Sequence, residues 1–154
     1  MKSIFKIFFF SFLLAYSVAL PQEKDLGVGV ILGDPSGFSA KYWTSEKNAI
    51  DLGVGYSFIG VGSGLSIHFD YLYHINDLIK SENRVPVYYG FGVRFRFPQG
   101  EPNIFGARGV VGVLWYPENY PVDLFVEFAP SFRLLPNSAI DFGFGIGGRY
   151  YIKL

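Results

Sequence analysis

Residues 87–97 read VYYGFGVRFRF. Val87, Tyr89, Phe91, Val93, Phe95 and Phe97 alternate with Tyr88, Gly90, Gly92, Arg94 and Arg96. A period of two is the signature of a β-strand, because successive side chains point to opposite faces of the pleat. One face of this strand is apolar and the other carries glycine and arginine. In a soluble sheet the apolar face would be core and the arginines would meet water. In a membrane barrel the apolar face meets acyl chains and the arginines turn inward.

Outward from that stretch, eight alternating segments cover about 25–32, 38–43, 49–58, 65–74, 86–97, 104–116, 122–134 and 139–153. The breaks between them are GDPSG, TSEKN, IGVGSG, INDLIKSENRV, PQGEPN, PENYP and LPNS, dominated by Gly, Pro, Asn, Asp and Ser. Links this short favour antiparallel neighbours, since a parallel crossover needs roughly a dozen residues or more. NDLIKSENR (76–84) is the one segment past the N-terminus that would suit a helical turn. DLGVG at 25–29 and 51–55 echoes DFGFG at 141–145, as expected of a meander of similar strands. GxG is not a nucleotide loop here, because no helix follows and the third glycine is misplaced.

Following the parity of Arg94 through every segment assigns the faces. That face carries Lys41, Asp51, Asp70, Arg94, Arg96, Arg108, Asp123, Glu127, Arg133, Asp141, Arg149 and Lys153, seven cations and five anions. The opposite face carries no charge. The charged face also holds 11 of the 19 glycines. Glycine weakens a strand whose side chains are free in water, but it suits a lumen just wide enough for side chains. Polar-tipped aromatics, Tyr42, Tyr71, Tyr73, Tyr89, Trp115 and Tyr150, gather at one end of the apolar face, and Phe58, Phe95, Phe97, Phe105 and Phe132 at the other. Such girdles mark the two interfaces of outer-membrane barrels. A basic side chain facing lipid costs about 2–4 kcal/mol at the midplane. Twelve outward charges would together cost on the order of 20 kcal/mol, beyond a typical stability of about 5–15 kcal/mol. The pattern predicts an all-β protein: an eight-stranded antiparallel up-and-down transmembrane β-barrel with its ionic side chains inside.

Composition agrees. Hydrophobic residues make up 50% of the 154 and charged ones 17%, which excludes a disordered chain. The formal charge is zero, so no nucleic-acid partner is indicated. Without cysteine there are no disulfides, thiolate metal sites or lipidated N-terminal cysteine. MKSIFKIFFFSFLLAYSVAL begins with Lys2 and Lys6, continues through a short apolar run and ends in Ser17-Val18-Ala19. That is a secretory signal peptide, expected at 1–19, with the barrel occupying 20–154. Removing Lys2 and Lys6 with the leader leaves 11 basic against 13 acidic residues.

The motifs GDPSGFSAKYW (33–43), NAIDLGVGYSF (48–58), HFDYLYHINDLIK (68–80), PVYYGFGVRFRF (86–97) and GIGGRYYI (145–152) resemble a family of small Gram-negative outer-membrane β-barrels of unknown function, spirochaete members included. The resemblance spans nearly all of 20–154. It implies a fold similar to the small eight-stranded outer-membrane barrels, an outer-membrane location, surrounding lipids and the barrel-assembly machinery as partners, and no established activity. Barrels of this kind usually end in an aromatic residue read by that machinery, whereas this chain ends YYIKL.

Ser66, His68 and Asp70 stand at alternate positions on the charged face of one strand. They are the weak catalytic candidates, as a Ser/His/acid set for acyl transfer in a lipid-modifying enzyme. Residues two apart on a strand are separated by about 7 Å, too far for a direct proton relay, so an ion-paired filling of the lumen is the better reading. Glycines 53, 55, 90 and 92 are expected beside His68 and Asp70, making room for them. A narrow channel or small-ligand barrel is the other alternative, but open aqueous lumens appear at about sixteen strands. No cofactor and no metal is expected, His74 having neither cysteine nor a spaced histidine partner. Four links on one side, GDPSG, IGVGSG, PQGEPN and LPNS, are short, which disfavours a dedicated adhesin.

Overall fold

The alternation becomes sheet throughout. The computed structural model describes residues 25–154 apart from position 61. It contains β1 (Asp25–Gly33), β2 (Ser36–Trp43), β3 (Asn48–Ser57), β4 (Gly64–Ile75), β5 (Val87–Pro98), β6 (Ile104–Trp115), β7 (Val122–Leu135) and β8 (Ala139–Lys153). The leader expected at 1–19 lies outside the described residues. Every strand pairs antiparallel with its sequence neighbours, and β8 returns to β1 to close an eight-stranded barrel. Closure leaves no row of unpaired N–H and C=O groups, the condition a sheet must meet in hydrocarbon.

Strand bounds differ from the sequence expectation only at the ends, and local bonds explain why. β2 begins at Ser36 because its Oγ accepts from the Gly33 N–H (3.0 Å) and donates to the Gly33 carbonyl (2.9 Å). GDPSG is thereby a tight link. β6 ends at Trp115, and the Tyr116 N–H donates to the Arg84 carbonyl at 3.0 Å in an isolated bridge. Residues 76–79 and 82–83 form bends, and the helical turn that NDLIKSENR would suit is absent.

The two faces differ as their parity requires. Outward side chains such as Val30 (52% exposed), Phe38 (75%), Phe91 (64%), Val126 (57%) and Phe142 (60%) form a continuous apolar belt. Among the described side chains, no charged strand residue shares that face. Exposed apolar surface on this scale marks an interaction with a non-aqueous environment. Inside, Ile31, Ala49, Leu72, Leu114, Phe125 and Ala129 are buried together.

Register is where the expectation needs correction. Gly53 does face His68 and Gly92 does face Asp70, but Asp51 stands opposite Asp70 and Arg94 opposite His68. Gly55 instead faces Ser66, and Gly90 faces Leu72. Periodicity fixes the face a residue occupies and leaves its cross-strand partner to turn length. Inward glycines nonetheless lie beside bulky neighbours. A Cβ on Gly53, Gly112 or Gly147 would strike the rings of His68, Tyr88 or Phe125 respectively.

Candidate functional site

The interior is the region where chemistry-bearing side chains collect. For description, the end holding the start of β1 is called lower. Parity turns Arg108 of β6 and Arg149 of β8 inward at the middle of the barrel. Arg108 donates through Nε to Asp70 Oδ2 (2.8 Å) and through Nη2 to Glu127 Oε1 (2.7 Å). Glu127 also accepts from the Tyr88 hydroxyl at 3.0 Å. Arg149 donates through Nε to Asp123 Oδ1 (3.1 Å) and through Nη1 to Ser39 Oγ (3.2 Å), and Nη1 is also paired with Asp51. Its guanidinium lies 4.1 Å from the centre of the Phe125 ring, a cation–π contact. Every member is buried. Removing a single partner would strand a charge in a low-dielectric space, so the network behaves as a unit.

Toward the upper end, Arg94 reaches across the barrel from β5 to Asp34 in the β1–β2 link (3.1 Å). It also donates to Ser57 Oγ (2.8 Å) and Ser66 Oγ (3.1 Å). Arg96 donates to the carbonyls of Ile59 (2.5 Å) and Gly62 (2.7 Å), clasping the β3–β4 loop from inside. Arg133 and Asp141 form a forked pair (2.8 Å and 3.1 Å) between adjacent strands, with Asp141 partly open to solvent.

The lower end is aromatic. Lys41 donates to His74 Nε2 at 2.6 Å, and His74 Nδ1 in turn donates to the Lys47 carbonyl at 3.0 Å, which fixes a neutral tautomer. The ammonium sits 4.6 Å from the Trp43 ring centre and 5.1 Å from that of Tyr88. Trp43 Nε1 donates to the Tyr151 hydroxyl (3.3 Å), which donates to Asp123 (2.5 Å) and so joins the lower cluster to the middle one.

Lys153 is a correction. Its parity groups it with the inward charges, yet it is exposed at the end of β8, where the wall encloses no lumen. Asp34 takes the opposite course: it lies in a turn, outside any alternation, and is buried. With Lys153 out and Asp34 in, six basic side chains face six acidic ones inside the barrel among the described side chains.

Ser66, His68 and Asp70 are not brought together as a nucleophile, base and acid. Ser66 Oγ accepts from Arg94, Asp70 accepts from Arg108, and His68 turns toward Asp51, its Nε2 3.6 Å from Oδ2. The fold does gather one donor atom each from Asp51, His68 and Asp70 within 4.8 Å of one another, a grouping contained in no single-strand spacing. Trp43, Tyr88 and Tyr151 were legible by parity, since they alternate with outward residues beside Lys41, Arg94 and Arg149. Ser39, Ser57 and His74 share that parity.

On the outer wall, Tyr42, Tyr71, Tyr73, Tyr89, Trp115 and Tyr150 all lie toward the lower end. Tyr71 meets Tyr73 edge-on at 5.1 Å, Tyr73 stacks on Tyr89 at 5.5 Å, and Asn48 donates to the Tyr71 hydroxyl at 2.9 Å.

No protein-family model and no curated protein sequence matches the chain. Its fold is similar to that of the N-terminal β-barrel domain of OprF from Pseudomonas aeruginosa, at 14% identity and a TM-score of 0.62, over 84% of this chain and 98% of that one. Ail, the attachment invasion locus protein of Yersinia pestis, aligns at 13% identity and a TM-score of 0.44, over 86% of this chain and all of Ail.

Proposed function

We propose that the chain is an integral outer-membrane protein whose polar lumen is filled by its own side chains, acting as a structural or interaction component of the cell envelope. The observation that carries this reading is the set of ion pairs spanning the interior. Arg94 of β5 meets Asp34 between β1 and β2, and Arg149 of β8 meets Asp51 of β3. These side chains cross the space a permeating solute would need. An eight-stranded interior is about as wide as the side chains that fill it, and here paired side chains occupy it, so the barrel is a plug.

The apolar belt, the lower aromatic girdle and the likeness of fold to the OprF domain support placement in an outer membrane. The leader at 1–19 supplies the export route, and the barrel-assembly machinery and envelope lipids are the partners this placement entails. The chain is read as a member of the small outer-membrane barrel family of unknown function that its motifs resemble, with its lower end facing the periplasm. The surface partner is unspecified. The engagement of Ser66, His68 and Asp70 with three different partners favours a non-enzymatic role.

Purified barrel reconstituted in a planar bilayer tests the plug. The expected record is silent with folded protein. Discrete conductance steps that persist in a preparation free of other barrels would overturn it and favour the narrow channel. Location is tested by carbonate or high-salt washing of membranes, which should leave the protein in the pellet.

A further inference from the structure

We infer that Asp51, His68 and Asp70 form a luminal site for one divalent transition-metal ion of the zinc class. Asp51 and Asp70 stand directly opposite each other on β3 and β4, both facing inward. Like charges in that position repel unless something of opposite charge lies between them. Each carboxylate commits one oxygen to an arginine, Asp51 to Arg149 and Asp70 to Arg108. Asp70 Oδ1 is buried with no hydrogen-bond partner, and the buried His68 ring has only the 3.6 Å approach of Asp51 at Nε2, the nitrogen that would ligate. A buried polar atom left in this way needs a physical explanation, and a bound ion is one.

The space is shaped for that group. The His68 ring lies over Gly53 and the Asp70 carboxylate against Gly92, positions where a Cβ would collide with them. His68 Nε2 and Asp51 Oδ2 are 3.6 Å apart, too far for a hydrogen bond. That separation is what two ligands of one tetrahedral ion require, given metal–donor distances of about 2.0–2.2 Å. The full set lies within 4.8 Å, so side-chain shifts of about 1 Å bring all three donors onto one ion, with a water as the fourth ligand.

Local charge agrees. Asp51, Asp70, Asp123 and Glu127 face Arg108 and Arg149 in the middle of the barrel, with the Lys41 ammonium on the lower side, four carboxylates against three cations. One imidazole with two carboxylates suits zinc, manganese or iron(II), whereas calcium takes about six to eight oxygens. Arg108 and Arg149 would orient the carboxylates from outside the shell, as hydrogen-bonding partners of metal ligands do. The site goes beyond the plug reading, since a silent barrel could lack the ion and a conducting one could hold it.

The site is closed in the folded barrel, so the ion is loaded during folding. The full chain is unfolded in urea with chelator, then refolded into detergent micelles with zinc or cobalt(II) and desalted. Folded protein is identified by its altered gel mobility without heating. The expected result is one ion retained per folded chain, with the visible absorption of tetrahedral cobalt. His68→Ala and Asp70→Asn should lose both signals, and His68→Gln replaces His68→Ala if that variant does not fold. Folded wild-type barrel that retains no ion overturns the proposal. So does retention by folded His68→Ala equal to wild type.

Discussion

Val93 and Arg94 are neighbours in sequence and belong to two different kinds of surface. Val93 looks out among Phe91, Phe95 and Ala107, any of which another apolar side chain could replace. Arg94 looks in and has three named partners, Asp34, Ser57 and Ser66. The outer wall is specified by hydrophobicity and depth, the interior by pairing. A substitution on the wall should therefore cost according to its height in the membrane, and one inside according to which group it leaves alone.

The sharpest way to break that contrast is Arg149→Met, which strands Asp51 and Asp123. The expected loss is about 3–5 kcal/mol, read from the urea midpoint of refolding into micelles. A smaller change than Arg133→Met would refute the idea that the middle network is the costlier one. Next comes Val93→Arg, at mid-height on the outer wall, with a loss of about 2–4 kcal/mol. The same change at Val87, at the start of β5, should cost only about 0–1 kcal/mol, and equal effects would remove depth as the controlling variable. Arg96→Met removes charged donors from two loop carbonyls and should cost about 1.5–3 kcal/mol. Proteolysis should then cut the loop between β3 and β4 sooner than in wild type. The smallest effect, within about 0.5 kcal/mol, is expected for Phe91→Leu, an exchange of one lipid-facing apolar group for another.

The outer wall was almost wholly legible in the sequence. Alternation around Val93 gave its face, and the Gly, Pro and Asn breaks gave strand ends within two residues of those observed. Inside, parity brought Lys41, Asp51, Arg108, Glu127 and Arg149 to one surface, but could not say which carboxylate meets which arginine. That depends on register, which slides with the turns: Asp51 faces Asp70 because of the length of the β3–β4 link, and no period records it. Asp34 was hidden for another reason. A turn residue has no parity, and its burial follows from an arginine on the far side of the barrel. Lys153 shows the converse, correct alternation carried past the point where there is an inside.

The cross-lumen arginines also have a mechanical consequence. A hairpin pulled from a simple barrel can unzip along its edges, each step breaking only neighbouring ladder bonds. Here the link after β1 is moored to β5, and β8 is moored to β3, so the first hairpin cannot leave without drawing on the opposite staves. Under force applied from one terminus, such a cask should fail as a whole in a single rupture.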